Sequence, residues 1–302
     1  MKKKTDFKTM IKNQYQYHLM LIPALILVFI FSYIPLYGLI IAFEKYNPGL
    51  GFSSPWVGFD NFTYLFSQPT FLRTIRNTLV ISIAKLLLGI IVPVTVAIFL
   101  NEMVSEKLKK FYQTLVYIPN FLSWVIMAGV IMDLLGSDGI INVVLANFGI
   151  GTIDFLGNDS VFPITMIITD IWKGFGYGTV VYLATLTGID PGLYESADID
   201  GANRWQKMWH ITVPMLKPIM ILMLVLALGN VFNAGFDQIY NLYSPIVYEH
   251  GDIIDTYVYR LGIEQAQYAV GTAVGLFKSL VSCVLVITSY VLADKFAGYK
   301  IW

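Results

Sequence analysis

Cysteine and charged residues are both scarce in this chain of 302 residues. It has one cysteine, and Asp, Glu, Lys and Arg together make up 13% of the sequence. A single thiol excludes an intramolecular disulfide. The formal net charge is zero, and no Lys/Arg block is typical of nucleic-acid binding, so we expect no nucleic-acid partner. A mean hydropathy of +0.65 leaves too little polar surface for a soluble globule and favours the bilayer as solvent.

Motifs for catalysis and cofactor binding are missing as well. The sequence contains no GxxxxGK[ST] phosphate loop and no HExxH, CxxC or GxSxG arrangement. These patterns position the groups that bind ATP phosphates, coordinate zinc or activate a nucleophile. We therefore expect no metal, no cofactor and no ATP hydrolysis by a phosphate loop of this chain, and the absences disfavour an enzyme.

Long apolar runs are what the sequence does contain. A helix needs about 20 apolar residues to cross the hydrocarbon core of a bilayer. The runs are too long for tilted barrel strands and show no alternation of apolar and polar residues, which favours helices. Six spans are predicted, at His18 to Phe43, Thr74 to Asn101, Tyr112 to Leu135, Val161 to Gly188, Pro214 to Tyr240 and Thr272 to Ala293.

The distribution of Lys and Arg predicts the orientation of these spans, because positively charged loops stay on the cytoplasmic side. The connection from Gly136 to Ser160 contains three aspartates and no Lys or Arg, which indicates the outer side. Both chain ends are therefore predicted to be cytoplasmic. The basic residues that support this are Lys2, Lys3, Lys4, Lys8, Lys12, Lys107, Lys109, Lys110, Arg204, Lys207, Lys295 and Lys300.

A polar stretch, ESADIDGANRWQKMWHITVP, interrupts the apolar runs at residues 195–214 on the predicted cytoplasmic side. Asp190 is a candidate N-cap for a short helix that ends at Gly201, and a second helix is predicted from Ala202 to near Pro214. The residues alone leave two interpretations open, an amphipathic segment lying among lipid headgroups and a docking element for a partner. The apolar stripe of the second helix consists of Ala202, Trp205 and Trp209.

This stretch resembles the cytoplasmic loop signature of bacterial ABC importer permeases, which reads EAA, three residues, G, nine residues, I-x-L-P. Ser196 and Val213 depart mildly from the pattern, where alanine and leucine are usual. Further similarity to the carbohydrate subgroup lies in GFDNF (58–62), NTL (77–79) and GFDQIYNLYSPIVY (235–248). The matching loop residues, to which the resemblance assigns ATPase coupling, are Glu195, Ala197, Asp200, Gly201, Ala202, Trp205, Trp209, Ile211 and Pro214.

The resemblance implies an all-α transmembrane protein with the six-helix type I importer permease fold, embedded in the bacterial cytoplasmic membrane. It divides the chain into residues 1–70 (cytoplasmic tail, first helix and first outer loop), a five-helix core at 71–293 that includes the coupling loop 190–214, and a cytoplasmic tail at 294–302. The implied partners are a second permease, two cytoplasmic ATPases that hydrolyse the ATP, an extracytoplasmic sugar-binding protein and a carbohydrate substrate, besides membrane lipid.

Polar residues inside spans are functional candidates, since they are costly toward lipid. Asn230, Asn233 and Asp237 are spaced to share one helical face of the fifth span, and Phe236 and Tyr240 add aromatic surface that can stack on sugar rings. We interpret these five residues as lining the substrate path. The alternative is that the amides join helices to one another or to a second permease. Gly229 and Gly235 interrupt the same segment, as expected where a helix unwinds or a partner approaches.

Intramembrane charges predict a pairing in the fourth span, where Asp170 should be neutralised by Lys85 or Lys173. Gly174 and Gly178 on the same span form a GxxxG motif, which is typical of close helix packing. Two other function classes stay open from these charges. One is a self-contained transporter coupled to an ion gradient, and the other is an intramembrane enzyme with Asp170 and Asp237 as an acid pair.

Overall fold

The computed structural model describes the backbone of residues 15–297, with the side chains of these residues apart from His18 and 292–297. Residues 1–14 of the predicted N-terminal tail and residues 298–302 of the C-terminal tail lie outside this part. The described residues form two compact units. One consists of residues 15–65 with Leu261–Leu276, and the other of Phe66–Arg260 with residues 277–297.

The described residues are predominantly helical, and the extended backbone among them forms one isolated bridge, between Glu44 and Trp56. Thirteen helices are numbered here in chain order. They are α1 (Tyr15–Phe43), α2 (Asp60–Ser67), α3 (Pro69–Asn101), α4 (Glu106–Phe121), α5 (Trp124–Leu135), α6 (Ile140–Asn147), α7 (Phe162–Leu186), α8 (Pro191–Ile199), α9 (Arg204–Leu228), α10 (Phe236–Leu242), α11 (Tyr248–Gly251), α12 (Ile254–Tyr259) and α13 (Tyr268–Ala297).

In the first unit, α1 changes helix type along its length. It is α-helical to Val28, continues as a π turn at Phe29–Tyr33 and ends as a 3₁₀ helix at Ile34–Phe43. Pro35 stands in the first turn of the 3₁₀ part, where its missing N–H removes no helical hydrogen bond. The GFDNF motif follows this helix, and the Asn61 side-chain amide donates to the carbonyl oxygens of Ala42 at 2.9 Å and Glu44 at 3.0 Å. The motif thus fastens α2 to the end of α1.

In the second unit, the long helices α3 and α7 pack against each other and bury two apolar clusters. Asn77, the asparagine of the NTL motif, lies in α3. Its Nδ2 donates to the backbone oxygens of Glu249 at 2.9 Å and Asp252 at 3.2 Å. A side chain in α3 therefore anchors the segment around α11. The first cluster includes Ile81, Met127, Ile131, Phe162 and Met166, and the second includes Val94, Ala97, Tyr182, Leu186 and Leu216.

Five helical segments of the described residues are long and apolar enough to cross a bilayer, and one of them combines α5 with α6. They are Tyr15–Phe43, Pro69–Asn101, Trp124–Asn147, Arg204–Leu228 and Tyr268–Val291. The predicted fourth span is also one helix, α7, but Asp170 and Lys173 lower its mean apolarity. The predicted third span, from Tyr112 to Leu135, was wrong as a single helix. The backbone is extended at Leu122, and the Ser123 hydroxyl caps a new helix by accepting from the Ile126 N–H at 3.3 Å.

Candidate functional site

The polar stretch at residues 195–214 folds as a helix, a tight turn and the start of a second helix. The Asp190 carboxylate accepts from the Gly192 N–H at 2.9 Å and caps α8, in agreement with the sequence prediction. Gly201 has φ +78°, in the left-handed region that favours glycine. Asn203 and Gln206 then form a reciprocal capping box, with bonds of 3.0 and 2.7 Å.

The second helix differs from the prediction at both ends. It begins at Arg204 after the Asn203 cap, so Ala202 lies in the turn and does not belong to a helical stripe with Trp205 and Trp209. It also does not end near Pro214. A π turn at Met208–Thr212 leads directly into the membrane helix, and the wider turn accommodates the proline that lacks an N–H. The stretch is therefore continuous with the fifth span.

The solvent-exposed face of this helix pair carries three large apolar side chains. Ile199 is 88% exposed, Trp205 67% and Trp209 60%. Glu195 and Asp200 are exposed beside them. Lys207 Nζ lies 2.7 Å from Asp198 Oδ1, and the Tyr194 and Thr212 hydroxyls are 3.0 Å apart, so two polar contacts join α8 to α9. A cavity of about 290 Å³ between them is lined by Ala197, Asp200, Gly201, Ala202, Gln206, Lys207, His210 and Ile211.

A larger cavity, of about 430 Å³, lies among α3, α7 and the end of α9. Asn230 and Asn233 line it, as does Ser82, whose buried hydroxyl has no hydrogen-bond partner in the described part of the chain. The full lining is Ser82, Lys85, Leu86, Gly89, Ile90, Asp170, Gly178, Tyr182, Met223, Ala227, Asn230, Val231, Asn233, Ala234 and Gly235.

The fifth span does not continue as a helix through this cavity. It ends at Leu228, and a new helix begins after Gly235, whose φ is +96°. The predicted shared helical face of Asn230, Asn233 and Asp237 was therefore wrong, because the helix unwinds between them. Asn230 and Asn233 lie on the unwound segment, whereas Phe236, Asp237 and Tyr240 lie on α10. The rings of Phe236 and Tyr240 stack at 5.2 Å.

Lys85 is the lysine beside Asp170. Its Nζ lies 3.4 Å from Asp170 Oδ1 and donates to the Ala234 carbonyl at 2.7 Å and to Gln238 Oε1. Lys173 instead donates to the Asn120 carbonyl at 3.2 Å and lies over the Trp124 ring. One cation thus neutralises Asp170 and also holds both ends of the bend that leads into α10.

Residues from other parts of the chain complete this region and were missed by the sequence analysis. Lys278 on α13 donates to Asn233 Oδ1 at 2.7 Å and pairs with Asp255. Gln238 donates to the Met166 carbonyl and to Thr169 Oγ1, both at 2.8 Å. The signal for Lys278 was available, because a lysine inside an apolar span requires a partner. No group of His, Cys, Asp and Glu that could hold a metal occurs among the described residues.

Comparison with known proteins identifies the family of this chain. The family described as binding-protein-dependent transport system inner membrane component matches residues 88–297. The chain belongs to this family. The polygalacturonan/rhamnogalacturonan transport system permease protein YteP of Bacillus subtilis is 42% identical over the whole chain and 94% of its own length. The arabinooligosaccharides transport system permease protein AraP of the same species is 31% identical, over 86% of this chain and 82% of AraP.

Solved structures agree with this assignment. A bacterial ABC transporter that imports the acidic polysaccharide alginate contains a chain with a TM-score of 0.88 and 39% identity, covering 95% of this chain and 97% of that one. The alginate transporter in complex with a periplasmic protein bound to alginate pentasaccharide matches with a TM-score of 0.89 and 38% identity, covering 98% and 99%. The protein is thus a permease component of a sugar or polysaccharide ABC importer, a multi-pass inner-membrane protein with the type I permease fold.

Proposed function

We propose that this permease forms part of the path for oligosaccharides or complex sugars and receives the work of ATP hydrolysis through residues 195–214. The ATP is hydrolysed by two cytoplasmic ATPase subunits, and the path is completed by a second homologous permease. An extracytoplasmic sugar-binding protein delivers the substrate. The periplasmic protein in the alginate transporter structure supports this last partner.

The continuity of α9 is the observation that carries the proposal. The helix begins at Arg204 in the polar stretch and extends to Leu228, and Met223 and Ala227 on it line the larger cavity. A rigid-body movement of the exposed helix pair is therefore transmitted along one helix to the cavity wall. Such a movement is how ATPase closure can change the side on which a substrate cavity opens.

The exposed side chains of the helix pair fit docking better than lipid binding. Ile199, Trp205 and Trp209 present apolar surface beside the carboxylates of Glu195 and Asp200, which anionic headgroups would repel. Aromatic side chains of this kind dominate the energetics of protein interfaces. The pair therefore presents an apolar knob with a charged rim to a cytoplasmic partner.

The larger cavity supplies the groups that a sugar requires. Asn230 and Asn233 offer amide donors and acceptors, and Ser82 offers a buried hydroxyl without a partner among the described residues. Neutral polar groups pair with sugar hydroxyls without the cost of desolvating a free charge. Since YteP and the alginate transporter act on acidic polysaccharides, we propose oligosaccharides that contain uronate residues as the first substrates to test.

Replacement of Trp205 by Glu tests the coupling role. The charge should weaken ATPase docking at least about tenfold, since central aromatic residues of interfaces are worth 2 kcal/mol or more. ATPase recovery on purification of the tagged permease and ATP-driven uptake into proteoliposomes should then fall together. Val104→Glu is the matched control, because Val104 is 92% exposed in the connection between α3 and α4, on the same side of the membrane, and lies outside the helix pair.

The control variant should retain both ATPase recovery and uptake. Normal recovery and uptake in the Trp205→Glu variant would remove the coupling proposal. Loss of both in the two variants alike would indicate a general effect of added negative charge on the cytoplasmic face, and would contradict the proposal equally.

A further inference from the structure

Five aromatic rings form a continuous row directly after the unwound segment of the fifth span. Phe236 stacks on Tyr240 at 5.2 Å, and Tyr259 lies against both, at 5.7 and 4.8 Å. Tyr243 is 6.1 Å from Tyr240 and 5.1 Å from Tyr248. We call this row, Phe236, Tyr240, Tyr243, Tyr248 and Tyr259, the aromatic ladder.

The ladder lies on the outer side of the cavity. The unwound segment that lines the cavity ends at Gly235, and Phe236 is the next residue. The distribution of Lys and Arg places residues 195–214 on the cytoplasmic side, so the chain that follows α9 emerges on the outer side. A substrate that arrives from outside therefore meets the ladder before it reaches Asn230 and Asn233.

The far end of the ladder is rigidly held. The Arg260 guanidinium lies 4.3 Å above the Tyr248 ring and pairs with the buried carboxylate of Asp252, which also accepts from Thr256 Oγ1 at 2.7 Å. The Asp252 backbone oxygen in turn accepts from Asn77 on α3. A cation paired and stacked in this way fixes the ring against movement, as a pre-formed binding surface requires.

The ladder is not an ordinary buried core. Tyr240 is 36% exposed, and the other four rings are half-buried. Four of the five rings carry a hydroxyl group. Burial and the neighbouring Tyr248 hydroxyl raise the pKa of Tyr243, so this hydroxyl stays neutral at every physiological pH. The Tyr240 hydroxyl donates to the Tyr259 hydroxyl at 3.3 Å. The partly exposed rings and their hydroxyls therefore combine apolar surface with hydrogen-bonding groups, which amphipathic sugar rings can match.

We propose that the aromatic ladder is an outer saccharide subsite that binds successive sugar rings of an oligosaccharide and so favours longer chains. This inference rests on the proposed sugar path through the cavity. Tyr240, Tyr243 and Tyr248 follow one another at centroid distances of 6.1 and 5.1 Å, so the aromatic surface extends over more than one ring and a saccharide chain can cross several of them. A short saccharide held at Asn230 and Asn233 reaches few of these rings, whereas a longer one extends back over several.

The test compares uptake of a long and a short saccharide by the assembled transporter in proteoliposomes. The variant carries Tyr243→Leu and Tyr259→Leu, which remove two rings of the ladder and keep apolar volume. Pentameric and dimeric oligogalacturonates, with alginate oligosaccharides of the same lengths in parallel, serve as probes. For the long probe we expect kcat/KM to fall about tenfold, which corresponds to about 1.4 kcal/mol and lies within the ~1–3 kcal/mol of two aromatic contacts. The short probe should lose at most about twofold, because it makes fewer of these contacts.

A second variant, Tyr243→Phe with Tyr259→Phe, keeps the rings and should retain most of the preference for the long probe. An equal loss of kcat/KM for both lengths would show that the ladder only packs, and an unchanged kcat/KM for both lengths would show that it does not touch the substrate. Either result overturns the inference. Because the ratio is measured on saccharides that the wild-type transporter takes up, these outcomes are distinct from failure of the proposed function, which the Trp205→Glu experiment detects.

Discussion

At the residue scale, the closest helix packing in the described chain depends on a glycine outside the GxxxG motif. A Cβ at Gly176 on α7 would lie 1.9 Å from the Val116 carbonyl oxygen of α4, whereas one at Gly178 would meet the Pro93 side chain at 3.0 Å. At Gly174 nothing lies within 4 Å. The expectation that Gly174 and Gly178 mark the close contact was therefore wrong for Gly174. Gly176 is what allows α7 and α4 to approach.

We predict that Gly176→Ala destabilises the protein, because a backbone carbonyl cannot move aside as a flexible side chain can. Overpacking of this kind costs about 1–3 kcal/mol, or more when backbone must shift. Thermal unfolding of the detergent-purified protein should show a clearly lower Tm. Gly174→Ala on the same helix is the control and should unfold at the wild-type temperature or slightly above it. Equal Tm values for the two variants would contradict the packing argument.

At the scale of elements, the turn between α8 and α9 depends on backbone conformation and not on space. Gly201 has φ +78°, and a Cβ there would meet nothing within 4 Å. The left-handed conformation costs an L-residue about 1–2 kcal/mol, less for Asn, and more for a β-branched residue. A substitution at Gly201 therefore disfavours this turn and is expected to change the angle between α8 and α9.

We predict that Gly201→Val uncouples ATP hydrolysis from uptake, whereas Gly201→Asn largely preserves coupling. The measurement is the number of ATP molecules hydrolysed per sugar imported, in proteoliposomes with matched amounts of assembled transporter. This ratio should rise several-fold for Val and stay near the wild-type value for Asn. Normal coupling in the Val variant, or equal uncoupling in both variants, would show that the turn is not the sensitive hinge.

The elements were predictable wherever the signal is local. Apolar length located the spans, and Asp190 and Gly201 gave the ends of α8 correctly. The break at Ser123 was missed, because the apolar run is long enough for one span although Pro119 and Asn120 interrupt it. Gly229 had indicated the unwinding after Leu228. Gly235 marked the second break, but the regular spacing of the asparagines suggested an unbroken helix.

The lining of the larger cavity was only partly predictable, because contacts between distant helices decide which side chains meet there. Asn230 and Asn233 were identified because polar residues are rare in spans. Ser82 and Lys278 come from helices far away in sequence, and nothing in their local pattern indicates which partner they face. Sequence also limited the partner of Asp170 to two lysines, and the choice of Lys85 follows from how α3 and α7 pack.

At the scale of the whole molecule, the arrangement of charges bears on how transport is driven. Transporters coupled to a proton gradient commonly use an intramembrane carboxylate that alternately binds and releases the proton. In the larger cavity Asp170 is held by Lys85, and nearby Asp255 is held by Lys278. A carboxylate neutralised by a lysine within the same chain is poorly placed for such exchange, so these groups are better suited to fixing the unwound segment than to ion coupling.

We therefore predict that ATP alone drives uptake. In proteoliposomes that contain the complete transporter, uptake should require enclosed ATP and should be lost with a hydrolysis-deficient ATPase subunit. Collapse of the proton gradient by an uncoupler, or removal of sodium from both sides, should leave the initial rate unchanged. Loss of uptake on gradient collapse while ATP remains would favour the ion-coupled alternative. The proposed coupling through α9, which extends from Arg204 to residues that line the cavity, predicts the same dependence on ATP.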